Sequence, residues 1–124
     1  MPLKIFIIDD DQITLDILTS ILEDAGHTVM GDLTGDTALS AIRQMRPDVV
    51  LTDLQMASVD GLDICREIRR IKSLDRTRII IVSAHSAKTW KARAEDMGAD
   101  GYMEKPIDAD RLLALIAEVS PSRS

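Results

Sequence analysis

The sequence predicts an α/β fold in which a doubly wound parallel sheet of five strands is covered by helices on both faces. Five short apolar runs are each followed by a segment whose apolar residues recur at the spacing of an amphipathic helix. Strands and helices that alternate in this way form parallel sheets, because each helix crosses the sheet between two strands. A chain of 124 residues is long enough for one such domain and too short for two.

Composition and charge narrow the class of protein. The chain is 45% hydrophobic and 29% charged, as globular domains are, and its net charge of −6 argues against direct nucleic-acid binding. Cys65 is the only cysteine, so no intramolecular disulfide can form, and we interpret it as a buried apolar residue in a reducing compartment. The sequence shows no secretory leader and no apolar run of ~20 residues, which predicts a cytoplasmic protein without membrane insertion.

In the first half of the chain, the apolar pattern marks three strands and two helices. Gly26 is suited to the C′ position of the first helix, and Pro47 ends the second. The second strand is polar and contains Gly31, which favours a position at or near an edge of the sheet. The predicted elements are strands at 5–8, 28–33 and 49–52 and helices at 12–25 and about 36–45.

The second half continues the alternation. Residues 79–82 are the most strand-like run, and Gly98 ends a fourth helix whose apolar stripe is thin. That stripe, which contains Trp90 and Met97, is suited either to core packing or to contact with a partner. The remaining elements are a third helix running to about 73, strands at 78–83 and around 101–103, and helices at about 87–97 and 109–119. We expect one domain over 1–120 and a frayed, disordered end at 121–124.

Side chains that could bind a ligand or take part in a reaction lie at the ends of four of the five predicted strands. Right-handed crossovers bring the carboxyl ends of all the strands to one edge of the sheet, where ligands of such folds bind. The second strand contributes no obvious group. The others contribute Asp9, Asp10 and Asp11 after the first strand, Asp53 after the third, Ser83 at the end of the fourth and Lys105 just beyond the fifth.

Phosphoryl transfer suits this set of residues. Clustered carboxylates repel one another, and a hard cation with oxygen ligands, Mg²⁺ above all, would neutralise them. A carboxylate such as Asp53 is also a competent nucleophile toward a phosphoryl group. Lys105 can place a positive charge on the phosphoryl oxygens, and Ser83 can contribute a hydrogen bond.

The chain resembles the receiver domain of bacterial two-component response regulators, and the resemblance covers essentially all of it. The fold it implies is flavodoxin-like, with the strand order 2-1-3-4-5, an order that comes from the resemblance and not from the apolar pattern. Each motif is weak alone, but their order and spacing are specific. The matching segments are Ile7-Ile8-Asp9-Asp10, Leu51-Thr52-Asp53, Met56, Asp60-Gly61, Val82-Ser83-Ala84, Gly98-Ala99-Asp100-Gly101-Tyr102 and Lys105-Pro106.

The resemblance implies a phosphoacceptor and a metal site. Asp53 matches the aspartate that receives the phosphoryl group, and Asp9 and Asp10 match the acidic pair that holds Mg²⁺ together with it. Gln55 matches the position whose backbone carbonyl completes the metal site. Alanine stands at position 57, where the family usually has proline, and proline would make this loop stiffer. We therefore expect the chemistry to be retained and Mg²⁺ binding to be weaker than in an Ala57→Pro variant.

The resemblance also implies a switch. Ser83 matches the hydroxyl that moves toward the phosphoryl group, Lys105 the active-site lysine, and Tyr102 the aromatic residue that then turns inward. Gln55 and His85 match two positions that tune the lifetime of the acyl phosphate, although an idle loop histidine is an equal interpretation of His85. The surface of the fourth helix, fifth strand and fifth helix becomes the expected face for partner binding.

We therefore expect a stand-alone response regulator, not classed as an enzyme, that exists as a monomer or a phosphorylation-linked dimer. Its expected partners are a histidine kinase or a histidine phosphotransfer protein and a downstream target protein; a phosphorelay shuttle without a readout of its own is the alternative. A haloacid-dehalogenase-type phosphatase, with Asp9 as nucleophile and Asp11 as acid/base, fits the first motif but leaves Asp53 without a role. A receiver fold that is never phosphorylated does not account for the complete set of site residues.

Overall fold

The predicted alternation folds into one parallel sheet with the strand order β2-β1-β3-β4-β5, which confirms the fold class. The computed structural model describes residues 2–57 and 59–120, so the predicted frayed end at 121–124 lies outside the described residues. The elements are β1 Lys4–Ile8, α1 Gln12–Asp24, β2 Thr28–Asp32, α2 Ala38–Met45, β3 Val49–Thr52, α3 Gly61–Arg69, β4 Arg78–Ser83, α4 Ala87–Asp96, β5 Gly101–Glu104 and α5 Ala109–Val119. Within the described chain, no helix has the length and apolar character needed to span a membrane.

The three central strands are apolar except at their ends, because the sheet is covered on both faces. Alternate residues of β1, β3 and β4 point to two separate cores, one against α2, α3 and α4 and the other against α1 and α5. Cys65 is fully buried in the first core, and burial raises the pKa of its thiol to about 12, which confirms its interpretation as an apolar core residue. The two cores fix β1 and β3 side by side, and with them the residues that follow each strand.

Aspartates at the strand ends begin the helices. The side chain of Asp11 accepts a hydrogen bond from the Ile13 amide at the start of α1, and that of Asp60 accepts one from the Leu62 amide at the start of α3. At the other end of α1, Gly26 has a φ of 95°, the left-handed conformation predicted for the C′ position. Helix ends that are fixed in this way set where each loop at the edge of the sheet begins.

The third helix is shorter than its apolar pattern predicts. It ends at Arg69, and residues Lys72–Leu74 form a separate 3₁₀ turn, which buries the Leu74 side chain completely. The prediction that this helix runs to about 73 is therefore wrong at its end. If α3 continued for another turn, the Leu74 side chain would be carried around the helix axis and away from the core. Burial of this side chain in the 3₁₀ turn is therefore favoured over a longer helix.

Arg69 also fixes the end of α3 to the amino-terminal ends of two strands. Its guanidinium donates to the Gly98 carbonyl at 2.9 Å, to the Thr77 carbonyl at 2.8 Å and to the Asp100 carboxylate at 2.8 Å. Asp100 in turn accepts a hydrogen bond from the Ile79 amide. These bonds join α3, β4 and β5 at the edge of the sheet opposite the predicted site.

Two smaller differences concern α1 and α2. The second helix begins at Ala38, two residues later than predicted, and its N-cap residue, Thr37, donates its hydroxyl to Asp32 at 2.6 Å and makes no side-chain capping bond. On α1, Ala25 is exposed at the C-cap, whereas Leu15 is buried. The side chain of Leu15 covers the position beside Gly31 on the edge strand, where a Cβ atom would lie 2.7 Å from it.

His27 should make the folded state sensitive to acid. Its Nδ1 atom accepts a hydrogen bond from the Leu3 amide at 3.0 Å, so the ring must be neutral at that atom, and burial lowers its pKa below the ordinary value of 6.5. The contribution of this bond to stability is complete above pH ~6.5 and is lost as the pH falls below that value toward the folded-state pKa. Urea unfolding across this range should show the loss.

The variant His27→Asn is the matched control for this prediction, since its side-chain oxygen can accept the same hydrogen bond without titrating in this range. We expect the pH dependence between 6.5 and the folded-state pKa to be smaller in this variant. An unchanged dependence would assign the effect to other groups.

Arg46 occupies a conformation that favours glycine. It follows α2 with φ 51° and ψ 61°, and a side chain in this left-handed region costs about 1–2 kcal/mol. The variant Arg46→Gly should therefore raise the free energy of unfolding by about 1 kcal/mol, as measured by urea denaturation. The variant Arg43→Gly, within α2, should lower it by about as much. A loss of stability in Arg46→Gly would contradict the assignment of strain.

Candidate functional site

Three aspartate side chains meet at the carboxyl-terminal edge of the sheet. In the paired register, Ile8 lies beside Thr52, and the Asp53 amide donates to the Ile8 carbonyl at 3.0 Å, so Asp9 and Asp53 emerge next to each other. One carboxylate oxygen from each of Asp9, Asp10 and Asp53 lies within 4.8 Å of the others. The side chain of Asp9 is 1% exposed and that of Asp53 is 14% exposed, whereas Asp10 is at the surface.

Lys105 supplies the positive charge that faces these carboxylates. Its Nζ atom lies 3.0 Å from Asp9 Oδ2 and 3.5 Å from Asp53 Oδ2. The lysine follows β5 and is anchored by its backbone amide, which donates to the Ser83 carbonyl at 2.7 Å. One ammonium group therefore faces the two more buried members of a group of three acids.

Burial and charge shift the protonation of this pair in different ways. Burial raises the pKa of Asp53 above its ordinary value, and the opposing effect of Lys105 is smaller. Burial works to lower the pKa of Lys105, but the bond to Asp9 and the charge of Asp53 outweigh it, so that this pKa is raised. The lysine stays charged, and the contacts of Asp53 with Lys105 and the Leu54 amide offset only part of the effect of burial on its pKa.

Backbone amides orient all three carboxylates. Asp9 accepts from the Asp11 amide at 2.9 Å, Asp53 from the Leu54 amide at 2.7 Å, and Asp10 from the Ala57 amide at 3.0 Å. Proline, the usual family residue at position 57, has no N–H and cannot donate this bond. The alanine therefore adds a hydrogen bond to a predicted metal ligand, an effect on the metal site that is separate from the stiffness of the loop. The expected weaker binding of Mg²⁺ stays a prediction.

The carboxylates suit a hard divalent cation. Mg²⁺ prefers oxygen ligands, is held in proteins by one or two carboxylates and keeps several waters, so a half-open cluster of acids fits it better than a closed cage would. Asp9, Asp10 and Asp53 offer such donors, with Asp10 on the open side. The predicted role of the Gln55 carbonyl as a further ligand stays a prediction.

The predicted switch residues are connected by hydrogen bonds. The Ser83 hydroxyl is fully buried and accepts from the His85 amide at 3.0 Å. The Tyr102 hydroxyl donates to the His85 carbonyl at 2.9 Å, and the tyrosine ring is half-buried, which raises the pKa of its hydroxyl. The backbone of His85 therefore joins the hydroxyl at the end of β4 to the aromatic residue on β5.

The two predicted lifetime-tuning residues bond to each other. His85 Nε2 and Gln55 Oε1 are 2.9 Å apart, which joins the loops after β3 and β4, and the His85 ring also lies 6.0 Å from the Trp90 ring. The His85 ring is thus half-buried and has partners on two sides. This contact weakens the interpretation of His85 as an idle loop residue, although its effect on an acyl phosphate stays a prediction.

Gly61 allows the loop to pass close to Asp53. A Cβ atom at this position would lie 2.0 Å from the Asp53 carbonyl oxygen, and the Gly61 amide donates to the Leu54 carbonyl at 2.8 Å. The sequence pattern identified Asp60-Gly61 as a motif but gave no reason for the glycine. The structural reason is a close approach of two backbones at Asp53.

Comparison with known proteins agrees with this site. The family model described as "Response regulator receiver domain" matches residues 5–117. Response regulator MprA from Mycobacterium sp. is 34% identical over 98% of this chain and 54% of its own length. The DNA-binding dual master transcriptional regulator RpaA from Synechocystis sp. is 33% identical over 94% of this chain and 48% of its own. The structure of chemotaxis protein CheY4 from Vibrio cholerae superposes with a TM-score of 0.90 at 24% identity, covering 96% of this chain and 99% of CheY4.

The chain belongs to the response regulator receiver domain family. Receiver domains are signalling domains of two-component systems, and they bind Mg²⁺ at an acidic pocket of the kind that Asp9, Asp10 and Asp53 form here. The match with CheY4, at this level of identity, shows the fold alone. The chain spans about half the length of MprA and RpaA.

The close approach at Gly61 gives a direct test of the site's support. The variant Gly61→Ala should lower the free energy of unfolding by about 1–3 kcal/mol, because the methyl group overlaps backbone that cannot yield as a side chain would. It should also weaken Mg²⁺ binding, measured by calorimetric titration, because the Asp53 backbone must move.

The variant Gly31→Ala is a suitable control for this prediction. Its methyl group would meet the flexible end of Leu15, on the edge strand and away from the three carboxylates. We expect a smaller loss of stability and unchanged Mg²⁺ binding. Wild-type stability in Gly61→Ala would contradict the assigned close approach.

Proposed function

We propose that this domain accepts a phosphoryl group on Asp53 from a phosphohistidine of a histidine kinase or a histidine phosphotransfer protein. The observation that supports this most is the cluster of Asp9, Asp10 and Asp53 with Lys105 bonded to two of them. A bound Mg²⁺, held by the three carboxylates and the Gln55 carbonyl, would neutralise charge on the phosphoryl oxygens.

In the proposed transfer, Asp53, Lys105 and Ser83 have separate roles. An oxygen of the Asp53 carboxylate attacks phosphorus as the bond from phosphorus to the donor nitrogen breaks, and the imidazole leaves with that electron pair and takes up a proton. The Lys105 ammonium, already 3.5 Å from Asp53, is placed to contact a phosphoryl oxygen. The Ser83 hydroxyl, which accepts a bond from His85, still has its own proton to donate to another oxygen.

The proposed output is a change in the surface formed by α4, β5 and α5. Ser83 and Tyr102 contact the same residue, His85, so a movement of the hydroxyl toward Asp53 would reach the tyrosine on β5 through one backbone. Gln55 and His85 would set the lifetime of the acyl phosphate by controlling how water reaches it. Action as a stand-alone regulator with a downstream target, as opposed to a phosphorelay shuttle without a readout, stays a prediction.

Two exposed isoleucines support a protein as the phosphoryl donor. Ile13 is 70% exposed and Ile17 is 45% exposed, and they lie one turn apart on α1. Ile13 lies two residues beyond Asp11, in the first turn of α1, so an apolar surface lies beside the acidic mouth of the site. Large exposed apolar residues of this kind mark protein contacts more often than contacts with a small phosphoryl donor.

The phosphatase alternative loses support at Asp11. The carboxylate of this residue accepts bonds from the Ile13 amide and the Thr14 hydroxyl, and the latter lowers its pKa. A carboxylate that caps a helix and is stabilised in its charged form is a poor general acid. Asp11 is therefore better explained by the start of α1 than by catalysis.

Acetyl phosphate with Mg²⁺ tests the proposed acceptor without a partner protein. Intact-mass spectrometry should show the gain of one phosphoryl group by the wild-type protein and none by Asp53→Asn, because the amide is not a nucleophile of this kind. Asp9→Asn should slow the reaction through the metal site, and Asp75→Asn, which lies away from the site, should leave it unchanged. A phosphoryl group that maps to Asp9 after peptide digestion, or that persists in Asp53→Asn, would refute the proposal.

A further inference from the structure

Helix α4 has weak support from its own sequence. Its N-cap residue, Ser86, makes no side-chain capping bond, and Ala94 is its only fully buried residue. Its charges give the helix dipole little net support, because Lys88 lies near the amino end and Glu95 and Asp96 lie at the carboxyl end, opposed there only by Arg93. A helix of this kind depends on contacts from other elements.

Glu104 on β5 provides such a contact. Its carboxylate accepts a hydrogen bond from the Ala87 amide, the first amide of α4, and so places a negative charge at the positive end of the helix. Glu104 is paired with Ser83 in the sheet and directly precedes Lys105. The residue that caps α4 therefore belongs to a different element, where it is the neighbour of the predicted switch hydroxyl in the sheet and of the active-site lysine in the sequence.

The short segment 84–87 is held at three points. The His85 amide donates to the Ser83 hydroxyl, the Tyr102 hydroxyl donates to the His85 carbonyl, and the Ala87 amide donates to Glu104. This segment is the covalent connection between Ser83 and α4. A shift of Ser83 toward Asp53 would pull on His85, and the bond between Glu104 and Ala87, two residues further along, would resist this movement.

We propose that Glu104 is a positioning residue that holds the segment 84–87 and the start of α4 in the unphosphorylated arrangement and thereby restrains the switch. The inference rests on the proposed phosphorylation of Asp53. When only a fraction of the protein molecules is in the arrangement that binds a ligand, the apparent affinity for that ligand is reduced in proportion to that fraction. Removal of the Glu104 bond should therefore loosen α4 and, at the same time, strengthen the binding of a phosphoryl mimic.

Glu104→Ala and Glu104→Gln separate this role from a loss of charge, since glutamine keeps an oxygen that can accept from Ala87. Hydrogen exchange of the α4 amides should be about fivefold faster in Glu104→Ala, the usual effect of losing a cap, and close to wild type in Glu104→Gln. The affinity for beryllofluoride with Mg²⁺ should rise by up to about fivefold in Glu104→Ala. The single tryptophan, Trp90, lies on α4 beside His85 and gives the fluorescence signal for this titration.

Glu23→Ala, an exposed substitution at the carboxyl end of α1, controls for the loss of a surface charge and should match wild type in both measurements. Faster exchange together with unchanged or weaker beryllofluoride binding in Glu104→Ala would overturn the restraint and leave a purely structural cap. Unchanged exchange would overturn the contact itself. Failure of the wild-type protein to bind beryllofluoride would instead overturn the proposed function, and the restraint on switching with it.

Discussion

The ammonium group of Lys105 between Asp9 and Asp53 is the interaction on which the site depends. The fold brings acids from the ends of β1 and β3 close together, and burial raises the pKa of Asp53 above its ordinary value. One lysine from the end of β5 offsets part of this repulsion and still leaves an excess of negative charge. In the proposed function, Mg²⁺ and the phosphoryl group would occupy this edge together, and the charge of each would offset part of the charge of the other.

The sequence predicted the sheet, its helices and the residues of the acidic site because these depend on local pattern. The apolar runs of the central strands and the position of Asp53 directly after one of them follow from neighbouring residues alone. The contacts of Glu104, Arg69 and the Ala57 amide could not be predicted, because each joins residues from different elements. The end of α3 was placed wrongly for the same reason, since the burial of Leu74 is a property of the packed core.

The loops around Asp53 contain one departure from the family pattern. Ala57 replaces the usual proline, but its amide donates a hydrogen bond to Asp10, and it leaves the acids and the lysine unchanged. In the same region, Gln55 bonds to His85 across the gap between two loops. In the proposed function, the chemistry of the site and the lifetime of the acyl phosphate would therefore depend on different residues of one small region.

The bonds of Arg69 have a consequence for how the protein can diversify. They fasten α3, β4 and β5 at the edge of the sheet farthest from Asp53, in a network that none of the proposed switching residues shares. Substitutions in the loops at the opposite edge, where backbones do not approach as closely as at Gly61, leave these bonds in place. The attachment of α3 to β4 and β5 is therefore independent of the residues that we propose to carry the signal.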